Sequence, residues 1–176
     1  MKQSSKWIAC AFVILSGLVF AQSAPQPSAE LKKLDYFVGT WTMEGEFKAG
    51  PLGAAEKVSG TDRYEWMEGG FFLAGHSDFK SADGSGSSLA VIGYNPVERI
   101  YTYDAFNSMG DAEHAKGSLS FDTWIWTARA KIGSKDTQSR FVVKVLSPTS
   151  YSFQHLMSED GYTWTTVIAG KAAKVK

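Results

Sequence analysis

The sequence predicts an all-β protein: a single antiparallel up-and-down β-barrel of about ten strands, preceded by one short N-terminal helix. Three observations carry that prediction. From Gly39 to Phe47 the chain alternates strictly, with Trp41 and Met43 on one face and Thr40, Thr42, Glu44 and Glu46 on the other, which is the mark of a strand with one buried face. Similar short segments recur at regular spacing to the end of the chain, separated by turn residues. Finally, 176 residues with 14% aromatics suffice for one sizeable core built from large rings. Closing such a meander into a barrel removes its sticky edges, and a barrel of this size holds one small ligand. A two-sheet sandwich would show the same alternation.

In chain order, residues 1–21 read as an export signal. Lys2 and Lys6 form a positive start, and Trp7 to Phe20 form an apolar run interrupted by Ser16 and Gly17, too short to span a bilayer. Cleavage is expected after Ala21 or Ser23. The single cysteine, Cys10, lies inside this segment, with too few apolar residues before it for a lipid-attachment signal. The mature chain is therefore expected to lack disulfides and thiol chemistry, to rest on its apolar core, and to have no membrane span. Residues 22–29, with Pro25 and Pro27, read as an extended leader, and residues 30–173 as the barrel domain. Leu31, Leu34 and Phe37 or Val38 recur at helical spacing behind a Ser28 cap with Glu30 in the first turn.

After the first strand, a Gly/Pro/Ala loop over 49–56 leads to a second strand over 58–67, with Val58, Gly60, Asp62, Tyr64 and Trp66 on one face. Glu68-Gly69-Gly70 signals a hairpin turn into a third strand over 71–79. Residues 81–87, rich in serine and glycine, read as a flexible connection. Further strands are expected over 89–94, 100–107, 114–121, 123–132, 139–146, 151–157 and 163–171, punctuated by Asn95-Pro96, Ser108-Met109-Gly110-Asp111, Gly133-Ser134, Pro148 and Glu159-Asp160-Gly161.

The formal net charge is zero, which offers no basic footprint for nucleic acid. Removing residues 1–21 leaves sixteen basic residues against eighteen acidic ones, about −2. There is no nucleophile elbow, phosphate loop or dinucleotide fingerprint, and Gly84-Ser85-Gly86 lacks a third glycine. Asp83-Gly84 and Asp160-Gly161 supply too few carboxylates for calcium and read as turns.

A short helix running into Gly39-Thr40-Trp41 at the head of a barrel resembles the calycin arrangement shared by lipocalins, in which the tryptophan plugs the closed end. The chain as a whole resembles the bacterial family called domain of unknown function 1579 (DUF1579), a calycin-like group. The landmarks are Leu34 to Trp41, Gly93-Tyr94-Asn95-Pro96, Phe106-Asn107-Ser108-Met109-Gly110, Gly117-Ser118-Leu119, and Ser158 to Gly161 with Trp164. Two departures stand out: Asn107 occupies a position where aspartate is frequent, and the last strand lacks the arginine expected near its end. The resemblance implies a barrel of lipocalin or nitrobindin type and no activity.

The ligand-pocket candidates are Trp41, Tyr64, Trp66, Phe71, Tyr103, Trp124, Trp126, Phe141, Phe153, His155 and Trp164, each of which fits plain core equally well. Asp62, Asp104 and Arg140 are polar groups that could orient a ligand, whereas Arg63 and Arg99 fit solvent. No metal site is expected. His76 and Asp78 share a strand face and form the one weak pair, which a rim position also explains. His155 shares a face with Tyr151, Phe153 and Met157, and a hydrogen-bonded core histidine is the plain reading. The nitrobindin resemblance adds haem as an alternative cofactor there, although in such proteins the ligand lies close to the chain end, and here a whole strand follows.

Three functional readings follow. The first is an exported protein, periplasmic or secreted, that binds a small apolar or aromatic molecule in the barrel and has no cofactor or catalytic residues. The second is a filled barrel that docks a protein partner. The third is a haem-binding or isomerase-type enzyme using His155 or His76.

Overall fold

The structure is a computed structural model that describes residues 25–50, 53–132 and 135–176, with only the backbone described at 130 and 132. The expected export signal lies outside the described residues. A four-residue helix, α1 (Ala29–Lys32), continues as a 3-10 turn over Lys33–Tyr36. Ten strands follow: β1 (Gly39–Phe47), β2 (Glu56–Trp66), β3 (Leu73–Ser81), β4 (Gly84–Asn95), β5 (Ile100–Asn107), β6 (Ala112–Ser120), β7 (Thr123–Ile132), β8 (Lys135–Ser147), β9 (Ser150–Ser158) and β10 (Thr165–Lys174). Each pairs antiparallel with its neighbours in sequence, and β10 pairs with β1 to close the barrel.

The all-β expectation and the single up-and-down barrel are what the structure shows. Several strand boundaries differ, among them β8, which begins at Lys135 rather than Ser139. Residues 81–87 are not a connection: β3 and β4 run on until Ser81 faces Gly84 across a two-residue turn, Ala82-Asp83. Both faces of that hairpin tip are wet, so its strands carry no apolar alternation to betray them. The third strand begins at Leu73, and Phe71 packs against the core from the approach to it. The last strand runs from Thr165 to Lys174, three residues past its expected end.

Cross-strand partners share a face, so the register names the inward set. At the helix end this set is packed solid. Leu31, Leu34 and Phe37 descend from the helix onto Trp41, Leu73, Ile92, Tyr101, Trp124 and Tyr151, all buried. Trp41 is wholly inaccessible, and its Nε1 donates to the Phe37 carbonyl at 2.7 Å. Its ring lies 4.9 Å from Tyr151. Near the end of β10, Lys174 Nζ stands 4.9 Å over the Trp41 ring and donates to the Tyr36 carbonyl at 3.1 Å. The helix is pinned further from the strands: Tyr101 donates to the Glu30 carbonyl at 3.1 Å, and Trp66 Nε1 to the Asp35 carboxylate at 2.7 Å.

Large rings are seated over missing side chains. Trp126 lies across Gly117 so closely that a Cβ there would sit inside the ring's contact radius, and Phe153 covers Gly170 and Gly45 in the same way. A barrel whose interior is crowded at one end accommodates rings this size by leaving the neighbouring strand bare.

Towards the other end the packing changes. Met43, Tyr64, Phe79, Tyr103, Phe141, His155, Met157 and Ile168 share the inward face, yet all are only half-buried. Side chains that point at the barrel axis and still keep accessible surface border open space.

Candidate functional site

That space is a cavity of about 500 Å³ at the end away from the helix. Its inner wall is built by Phe79 from β3, Ser88 from β4, Tyr103 and Ala105 from β5, Glu113 from β6, Ser139 from β8, and His155 and Met157 from β9. Asp111, Arg129 and Lys131 reach it from the lip. A cavity of this size, lined about equally by apolar and polar groups, has room for a small organic molecule.

The wall is notched beside it. Pairing between β6 and β7 stops at Ala115 opposite Ala128. Both strands continue without each other: Ala112 to His114 stay paired to β5, and Arg129 to Ile132 to β8. The two hairpins therefore splay, and Glu113 and Arg129 stand on opposite sides of the gap.

Three polar groups define the chemistry of the interior. His155 Nε2 shares a hydrogen bond of 2.7 Å with Ser139 Oγ on the adjacent strand, and burial holds the imidazole below its usual pKa, so it is neutral. Glu113 faces inward opposite Ala105, and burial alone pushes its carboxyl up; it has no hydrogen-bond or ion-pair partner among the described residues. Deeper, Asp62 is 7% exposed and its carboxyl is pushed up by burial, while hydrogen bonds from Ser77 and Tyr151 oppose that shift. Tyr103 lies between the two carboxylates: its phenol is raised by burial first, then by the charges of Glu113 and Asp62. Thr137, also on the inward face and 4% exposed, has a hydroxyl with no hydrogen-bond partner among the described residues.

The pocket candidates from the sequence divide into three groups. Tyr103 and His155 line the cavity, and Phe141 faces the same interior with its ring 6.3 Å from His155. Tyr64 also faces inward, half-buried, between the two halves. Trp41, Trp124, Trp126 and Phe153 belong to the packed closed end, with Trp66 and Phe71 against its margin. Trp164 is not inside: it precedes β10, and the guanidinium of Arg140 stacks 3.8 Å over its ring on the outer wall. Indole and guanidinium cover one another there, which explains an outward tryptophan.

Among the polar candidates only Asp62 faces in. Asp104 pairs with His114 outside at 2.6 Å, and Arg63 pairs with Glu65 at 2.9 Å. His76 and Asp78 are opposite Arg63 and Thr61, on the outward, exposed face. Among the described residues no three of His, Cys, Asp and Glu are grouped to hold a metal. Nε2 of His155, also singled out from the sequence, is bonded to Ser139 Oγ in the wall.

Sequence reasoning missed Glu113 and Ser139. Glu113 sits one residue before the expected start of its strand. The parity of Ala115, Gly117 and Leu119 carried back two residues would have placed it inside. Two further hollows, of about 770 and 850 Å³, lie on the outer wall and are lined mainly by outward residues such as Thr42, Glu44, Ser59 and Lys57. No described helix is long and apolar enough to cross a membrane.

The chain matches the family described as Protein of unknown function (DUF1579) over residues 26–174. No curated protein matches it. Among solved structures, Rv2717c from M. tuberculosis is similar at 14% identity with a TM-score of 0.59, covering 86% of this chain and 100% of that one. The S-type phycobiliprotein lyase CPES from Guillardia theta is similar at 11% identity with a TM-score of 0.56, covering 82% of this chain and 92% of that one. Identities this low speak for the barrel fold alone.

Proposed function

Given that the chain belongs to the DUF1579 family and forms a ten-strand barrel, we propose that it is an exported binding protein that holds a small aromatic or apolar molecule in its open half. One observation carries this reading: Phe79, Tyr103, His155 and Met157, inward side chains of the open half, keep accessible surface around a cavity of about 500 Å³. Tyr103, Phe79, Ala105 and Met157 supply apolar wall, and His155, Ser139 and Glu113 supply the polar contacts that fix orientation. Export rests on the charged and apolar pattern of residues 1–21. The phycobiliprotein lyase shares the fold, and no activity passes from it at 11% identity. The filled-barrel reading suits the closed half alone.

Calorimetric titration with naphthalenemethanol, a neutral aromatic probe, tests the binding reading. Saturable binding is expected, and Ala105→Leu, which pushes a side chain into the cavity, should abolish it while the far-ultraviolet spectrum stays that of a barrel. Absence of saturable binding to the unmodified protein would remove the reading. Export is checked separately, by finding the chain outside the cytoplasm with its first residues removed.

A further inference from the structure

We propose that the ligand is an organic cation, a protonated amine on an aromatic or apolar body, with Glu113 as its counter-charge. The inference rests on the reading that the open half holds a small molecule, and it names the chemistry of that molecule.

The argument begins with the charges that face the chamber. By strand register the inward-facing carboxylates are Glu113, on the cavity wall, and Asp62, deeper in; Arg129 and Lys131 reach the cavity from outward positions at its lip. Lys174 is inward but lies below the plug, bonded to the Tyr36 carbonyl. Lys135 has the inward parity of β8, yet it stands at the rim, exposed and paired with Glu159 at 3.0 Å. His155 is neutral and bonded to Ser139. The inward-facing set therefore carries negative charge, and the cations that line the cavity, Arg129 and Lys131, stand at its lip.

The two carboxylates differ. Ser77 and Tyr151 offer hydrogen bonds to Asp62 that favour its charged form, against the larger effect of burial. Glu113 has lost much of its water and gained nothing in return. A carboxylate in that state is costly unless a donor meets it. An ammonium group placed in the cavity does so, at a point where the Tyr103 ring stands close by to add its π face. The lip residues Asp111, Arg129 and Lys131 carry both signs and are exposed, so water and salt screen them. The notch between β6 and β7 gives a route in beside Glu113.

The test titrates the full-length mature protein at neutral pH with three matched probes: naphthylmethylamine, naphthalenemethanol and naphthoate. The amine is expected to bind at least about tenfold more tightly than the alcohol, with the carboxylate weakest. Glu113→Gln should weaken the amine by about the same factor and the alcohol much less, so that the amine's advantage is lost. Alcohol binding as strong as amine binding overturns the proposal while leaving a neutral-ligand barrel intact. So does a preference for the amine that survives in a Glu113→Gln protein still able to bind the alcohol. Binding of none of the three overturns this proposal and the preceding reading together. Should Glu113→Gln fail to fold, the ranking on the unmodified protein decides the matter alone.

Discussion

The two ends of this barrel are filled by opposite rules. At the helix end, Trp41, Leu34, Leu73 and Trp124 are essentially inaccessible, Trp41 is anchored by a hydrogen bond, and Trp126 and Phe153 are seated over glycines. At the other end, residues of the same alternating pattern enclose space, and the polar groups among them include one carboxylate with no partner. The closed end holds the ring of strands together, since a ten-strand wall needs only one packed layer to fix its register. The open end is thereby free to give up packing energy for a function.

The largest effect should come from removing the plug. Trp41→Ala deletes a fully buried indole and its bond to the Phe37 carbonyl, and should cost about 3–5 kcal/mol, read from the urea midpoint at constant slope. A comparable cost for Met157→Ala at the mouth would erase the contrast between the two ends. Next, Gly117→Ala asks Trp126 to give way to a methyl group, and should cost about 1–3 kcal/mol through displacement of a core ring. A neutral outcome would mean that Trp126 has somewhere else to go and that the closed end is looser than its burial indicates.

The third substitution sharpens the contrast by reversing its sign. Burial raises the Glu113 carboxyl above its ordinary 4.5, so the folded state favours the protonated form. Its favourable contribution is present in acid and is lost as pH rises through the folded pKa. At neutral pH, Glu113→Gln should therefore be more stable than the parent, by about 0.5–1 kcal/mol, and the gap should close towards pH 4 in thermal melts. A Glu113→Gln protein less stable than its parent at neutral pH would show that the carboxylate has found a partner.

The same division governs what the sequence could reveal. Period-two alternation reports burial, so the strands and the helix-Trp41 plug were legible where the interior is dry and apolar. At the wet rim the signal fades: residues 81–87 read as linker though they are paired strand. Glycines such as Gly117 and Gly170 read as weak strand positions, because their purpose lies in a ring on the neighbouring strand. Trp164 read as interior because alternation cannot register a guanidinium lying over it from outside. The cavity depends on which inward side chains fail to meet across the axis, and that is a property of ten strands together. Tyr103 and His155 could be proposed singly, but their meeting with Glu113 at one notch could not.

His155 offers the smallest effect and a separate check on the open end. It is held below its ordinary value of 6.5 by burial, and in the folded state it is neutral and shares a hydrogen bond with Ser139. Acidification through that value protonates the unfolded chain first, so the unfolded state binds more protons and stability falls with pH. Replacing it with glutamine keeps a polar partner for Ser139 and removes the titration. The stability difference between parent and His155→Gln should then shift against the parent, by under about 1 kcal/mol, between neutrality and about pH 5. Glu113 and Asp62 titrate in the opposite sense as the pH falls, and because both proteins contain them, the subtraction leaves the imidazole's part. A difference that stays flat across this window would place His155 in contact with water deep enough to charge freely. The open end would then be a wider mouth than the 500 Å³ cavity describes, with its walls solvated down to the level of Phe141.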